Sequence, residues 1–155
     1  MEESTRKSLG DYSSIICIKT IVTGLEDIMG IPAARGNLVL AGRKRGKTIV
    51  TDLGLSQSSL PLQDVTNALA NALGKDGTKL CSIEKIEMNE ASYLVYLKDT
   101  ICSAGEEPGS ARQLTFTMGA IQGALEEVTG NRMTSKQIGS VLRGDDFDIV
   151  ELTVR

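Results

Sequence analysis

The chain of 155 residues contains no histidine. That absence removes Ser-His-Asp and Cys-His catalysis, histidine-ligated haem and most catalytic zinc sites. Any chemistry would have to rest on Asp, Glu, Lys, Tyr or Cys. The acid–base candidates are three adjacent pairs, Glu106-Glu107, Glu126-Glu127 and Asp145-Asp146. A catalytic carboxylate needs burial or a close partner to tune it. The spacing puts these pairs in a loop, on a helix surface and in a turn, where they read as solvated, with Asp145 a turn former after Gly144. The three cysteines, Cys17, Cys81 and Cys102, are widely spaced and odd in number. They suit buried thiols in a reducing compartment. With no close cysteine pair, neither a metal nor haem is expected, and no dinucleotide fingerprint is present. These residues give catalysis little support.

One basic stretch stands out, Gly42-Arg43-Lys44-Arg45-Gly46-Lys47-Thr48. It imitates a phosphate loop but has three residues between its glycines, where the Walker loop needs four. Arg43, Lys44, Arg45 and Lys47 form either a solvated helix face or a contact for an anionic partner, a lipid headgroup or a ligand carboxylate. The net charge of −3 and pI of about 5.1 argue against a nucleic-acid partner, and aromatics at 3% leave few stacking platforms. No run approaches the roughly 18 apolar residues of a membrane span. The polar N-terminus lacks a signal-peptide core, so a cytoplasmic chain is expected.

The elements that must position these residues follow from periodicity. Residues 1–10 read as a mobile tail, and residues 11–155 as one domain. A first helix starts near Asp11, with Ile15, Ile18, Val22, Leu25 and Met29 as its stripe. Ile16 and Ile21 widen the stripe, so this helix should be buried on more than one side; Gly30-Ile31-Pro32 stops it. Residues 34–53 allow a helix or a hairpin around the basic stretch, the β-branched residues favouring the hairpin. A short helix follows, with Val65, Leu69 and Leu73 on its apolar side. Next come a hairpin (80–88 and 93–97), a loop (103–112), a glycine-bearing helix and a last hairpin turning at Arg143-Gly144-Asp145-Asp146. The glycine-bearing helix carries the stripe Leu114, Met118, Ile121, Leu125 and Val128. Gly119 and Gly123 lie on one flank beside Ala120 and Ala124, and Gly130 caps the end. Glycines in a helix interior cost about 1 kcal/mol each, so close approach is expected there: of the sheet first, then a partner subunit, then a ligand. The order gives an α+β domain, an antiparallel sheet of about four strands with about four helices packed on it.

In order along the last forty residues, Phe116, Gly119, Gly123, Gly130, Gly144-Asp145 and Phe147 resemble the C-terminal half of the 4-vinyl reductase domain, also called the hydrocarbon-binding domain. The resemblance selects the helix for residues 34–53. Many members carry cysteines where Leu114, Ser140 and Asp148 stand here, so the chemistry of those cysteines is not carried over. The resemblance implies a non-catalytic module for an apolar or tetrapyrrole-like ligand, with a place in chlorophyll metabolism or photosystem assembly. It implies a pocket between the glycine-bearing helix and the sheet, with Ile15, Cys17, Tyr93, Phe116, Gly119, Ala120, Gly123 and Phe147 as candidate lining. Related folds also build subunits of vesicle-tethering complexes. The alternative reading is therefore a homodimeric interaction module or accessory assembly factor, paired through the Gly/Ala flank or the first helix. A contact to a larger complex would run through Arg43–Lys47.

Overall fold

A computed structural model describes residues 15–155. The expected tail and the helix start at Asp11 lie outside the described residues. Three helices come first: α1 (Ile15–Met29), α2 (Ile31–Asp52) and α3 (Leu62–Leu73). The hairpin β1 (Ser82–Met88) and β2 (Ser92–Lys98) follows, then α4 (Phe116–Thr129), then β3 (Met133–Gly139) and β4 (Asp148–Val154). The four strands form one antiparallel sheet in the order β1-β2-β4-β3, so the two hairpins meet through β2 and β4. This is the α+β architecture expected.

Alternation assigns the two faces of the sheet. Val95 and Leu97 of β2 and Val150 and Leu152 of β4 are fully buried against the helices. Leu94, Tyr96 and Ile149 point the other way and are half-buried, in register with Glu151 and its neighbours. Tyr96 meets Phe147 edge-on there, with ring centroids 5.7 Å apart. Residues 34–52 are helical, with Leu53 as the cap: α2 has a proline in its first turn, where no amide donor is needed, and buries Leu38, Ile49 and Val50.

α2 and α4 are the most extensively packed pair in the fold, and glycine makes that possible. A Cβ built on Gly42 would stand 2.0 Å from the carbonyl oxygen of Phe116, and one on Gly46 2.0 Å from that of Ala120. The reverse contacts are equally close: Gly119 against the Val39 carbonyl and Gly123 against that of Arg43, each at 2.0 Å. Two Gly-x-x-x-Gly pairs thus face each other, backbone on backbone, and the surface that approaches Gly119 and Gly123 is α2. Sheet, partner subunit and ligand are all displaced from that flank. α4 is consequently buried on nearly every side, and its end is capped by Gly130 in the left-handed conformation, φ 74°.

The first helix departs from expectation. α1 buries only Val22 and Glu26, while Ile16, Ile21, Leu25, Ile28 and Met29 are exposed. Its fixed side sets Val22 in the core with Ile15 and Ile18 packed against it, and adds polar ties. Glu26 accepts hydrogen bonds from the Arg112 guanidinium and from Thr115 Oγ1 at 2.8 Å, and Lys19 pairs with Glu106 at 3.1 Å. Glu106 also pairs with Arg112 at 3.0 Å, so this loop acid is half-buried and engaged rather than solvated. These ion pairs hold the loop between β2 and α4 onto α1.

Candidate functional site

A cleft of about 250 Å³ opens between the start of α3, the tip of the β1–β2 hairpin and the last turns of α4. Its floor is the core itself: Val65 from α3, and Leu125 and Val128 from α4, all buried. Leu62 and Tyr93 form the walls, and Leu60 and Met88 stand exposed at the mouth. Each side chain is placed by a local rule. Pro61 precedes α3, and its carbonyl accepts from the amides of Asp64 and Val65 at 3.0 and 3.2 Å, fixing the helix start beside Leu60. The Gln57 amide donates to the Glu127 carbonyl at 2.8 Å and so clips the loop before α3 to the end of α4. Tyr93 opposes Met88 across the hairpin and Leu152 on the other side, which turns its ring toward the helices.

Among the described residues no charged side chain lines the cleft. Its polar groups are Ser58, Thr129 and the Tyr93 phenol. The Thr129 hydroxyl donates to the Leu125 carbonyl at 2.7 Å, and Ser58 Oγ accepts from the Leu60 amide at 3.1 Å. A half-open, mostly apolar cleft with one phenol at its wall can hold a ring or short chain and orient a single polar substituent.

Of the eight residues expected to line a pocket, only Tyr93 lies in this cleft. Gly119, Ala120 and Gly123 are packed against α2 and admit no ligand. Phe116 lends its carbonyl to the same contact. Phe147 sits on the open face of the sheet beside Tyr96. Cys17 is exposed on α1. Ile15 borders a different groove of about 400 Å³, between α1 and the loop after β2, with Ile16, Ile101 and Ala104. Apolar periodicity places Val65, Leu125 and Val128 in helix stripes but does not reveal the cleft above them, which Ser58 and Leu60 also line. The one available signal was the apolar pair flanking Pro61 in an otherwise polar segment.

The basic stretch divides. Arg43 makes a two-pronged ion pair with Glu126, its Nη2 donating at 3.0 Å, and Lys47 approaches the same carboxylate at 4.0 Å. Lys44 and Arg45 are exposed. Glu126, expected on a helix surface, is buried. Burial opposes its ionisation, yet the Arg43 guanidinium, the Met133 amide and the Gln122 amide together hold its carboxyl below the ordinary 4.5. It ties α2, α4 and β3 together and does not reach the cleft. The exposed pair Asp145-Asp146 is a turn as expected, with Asp145 accepting from the Ser140 amide at 2.8 Å.

The three positions where the resembled domain often has cysteine hold no metal-binding set. Leu114 is core, Ser140 caps a short 3-10 turn, and Asp148 is fully buried. The Asp148 carboxylate accepts from Thr100 Oγ1 and Ser103 Oγ, each at 2.8 Å, and from the Val141 amide at 3.0 Å. Among the described residues no group of three or more potential metal ligands comes together. Cys81 and Cys102 are buried; burial, with Cys102 and Asp148 nearby, pushes the Cys81 thiol up to about 12, which leaves it unreactive. Among the described residues no helix is long and apolar enough to cross a membrane.

No family model and no curated protein sequence matches the chain. Solved structures do, two of them as follows. The phenol-responsive sensory domain of the transcription activator PoxR, with phenol, aligns at a TM-score of 0.64 and 12% identity over 92% of this chain and 75% of that one. A trafficking protein particle complex subunit 3 from Naegleria fowleri, covalently bound to palmitic acid, aligns at 0.52 and 16% identity over 92% and 97%. At these identities the fold is what is shared, and it fits the fold family that the last forty residues resemble.

Proposed function

We propose that this chain is a non-catalytic module that binds a small apolar molecule in the cleft between α3, the first hairpin and α4. The observation that carries the reading is the cleft's composition: aliphatic floor and mouth, one phenol, no charge. The fold neighbours support it, since one was solved with phenol and the other with palmitic acid. Size narrows the class. An apolar cavity of about 150 Å³ already holds benzene, so about 250 Å³ suits a single substituted ring or a short acyl chain. A tetrapyrrole, and with it a role in chlorophyll metabolism or photosystem assembly, would require Leu60 and Met88 to swing apart. Calorimetric titration with phenol, octanoate and protoporphyrin ranks these classes. Thr129→Phe, which fills the cleft from its rim, should weaken binding of the preferred probe at least about tenfold and leave the melting temperature near wild type. Equal binding by wild type and variant would overturn the reading.

The second reading is a homodimeric interaction module or assembly factor. It is favoured by the apolar side chains that α1 leaves open, and by the neighbour that is a subunit of a complex. Lys44 and Arg45 remain available to an anionic partner, whereas Arg43 is engaged within the fold. Light scattering across a concentration series tests the oligomeric state directly.

A further inference from the structure

The groove between α1 and the loop after β2 collects two unusual backbone positions. Among the described residues three non-glycine residues have positive φ, and two of them, Lys79 at 58° and Asp99 at 48°, line this groove. A side chain in the left-handed region costs stability and persists only where its surroundings fix it; such positions gather at ligand clamps. Both are fixed here. The Lys79 amide donates to the Gly74 carbonyl at 3.0 Å. The Ile101 amide donates to the Leu80 carbonyl at 3.1 Å, just beyond the Ser82–Lys98 pair that closes β1 on β2. Lys79 therefore precedes one strand and Asp99 follows the other at the same end of the hairpin, and both border one space. Among the described residues neither forms an ion pair.

The rest of the groove defines what it would accept. Ile101 is buried in it, with Ile15 and Ala104 also on the lining. Lys19 is already engaged, its Nζ donating to the Ile101 carbonyl at 2.9 Å and to Glu106 at 3.1 Å. The hydroxyls of Thr20 and Thr23 donate to α1 carbonyls at 2.9 Å each, so toward a ligand they present acceptor oxygens. What is left is one cationic donor on Lys79, acceptors on Asp99 and the two threonines, and an aliphatic surface. We infer that the groove is a second binding site, separate from the α3–α4 cleft, for a small zwitterion with an aliphatic body. A free amino acid of the leucine type meets all three demands: carboxylate on Lys79, ammonium on Asp99, side chain over Ile101. The volume of about 400 Å³ lies within the range of small-molecule sites. A plain carboxylic acid would set its charge against Asp99, and a plain amine would leave Lys79 unmatched.

The test is calorimetric titration of the full chain with L-leucine and with probes that each lack one part of it. 4-Methylpentanoate lacks the ammonium, 3-methylbutylamine the carboxylate, and glycine the side chain. Leucine should bind, and each probe should bind about tenfold more weakly or not at all. Asp99→Asn, which keeps a residue at ease with the left-handed backbone, should weaken leucine about tenfold and leave 4-methylpentanoate no weaker. Lys79→Met should weaken leucine by about the same factor and leave 3-methylbutylamine no weaker. Both positions are exposed, so melting temperatures should stay near wild type. No binding of leucine at millimolar concentration overturns the site, as does leucine binding that ignores both substitutions. Binding of 4-methylpentanoate as tight as that of leucine overturns the zwitterion. Leucine binding that Thr129→Phe removes places the amino acid in the α3–α4 cleft, which overturns this site and leaves the cleft reading standing.

Discussion

α1 and α4 are nearly the same length, fifteen and fourteen residues, and they end up in opposite environments. α1 is the more aliphatic, with five isoleucines, yet it buries two residues, one of them a glutamate. α4 carries two glycines, three threonines or glutamines and two glutamates, yet it buries eleven. Burial here follows how closely a neighbour can approach rather than how apolar the helix is. α4 offers α2 a flank without side chains and receives one in return, so the two backbones touch and the sheet closes over the remaining faces. α1 is fastened by Val22, Ile15 and Ile18 against the core and by Glu26 and Lys19 beside them, which leaves Ile16, Ile21 and Ile28 outward.

The largest test of this contrast is to put side chains back into the seam. Gly46→Ala or Gly123→Ala drives a methyl into a carbonyl that cannot yield without moving a helix, and should lower stability by about 3 kcal/mol or more in chemical denaturation. Gly36→Ala, on the same α2 but with open space around it, should raise stability by up to about 1 kcal/mol. Equal responses from the three would mean that the two helices are not in backbone contact.

A smaller effect is expected from the charge that closes the seam's edge. Glu126→Gln keeps the shape but loses the ion pair, and should lower stability by about 1–3 kcal/mol at neutral pH. The carboxyl is depressed in the folded state, so its contribution is complete above the ordinary 4.5 and is lost as pH falls through the lower folded value. The gap between wild type and variant should therefore narrow below about pH 4.5, read from melts over a pH series. A gap constant across that range would remove the ionised pair from the account.

The smallest perturbation is a label. In native protein at neutral pH a bulky maleimide should modify Cys17 and spare Cys81 and Cys102 until denaturant is added, counted by intact-mass spectrometry. Rapid modification of Cys81 would contradict its burial and its raised thiol.

Most of the architecture was legible in the chain because period and punctuation agree. The alternation of Val150, Leu152 and Val154, the Gly130 cap and the stripe through Met118, Ile121 and Leu125 each specify an element locally. Three-dimensional pairing was not legible. Gly42 and Gly46 have the same spacing as Gly119 and Gly123, but nothing within either segment says that one row lies on the other. The burial of Glu126 depended on an arginine 83 positions away, and the cleft on three elements meeting. The outward face of α1 defeated the usual inference from apolar spacing, because that spacing reports a face wanting cover and not what covers it.

The backbone seam between α2 and α4 also has an evolutionary consequence. Aliphatic residues can replace one another across a core with modest losses, so most of this interior is free to drift. Four positions, 42, 46, 119 and 123, have no such substitutes, because any side chain there meets main chain, which no compensating side-chain change can remove. Lineages descending from this sequence can therefore exchange almost all of their hydrophobic vocabulary and keep the same helix pair, provided that those four residues stay bare.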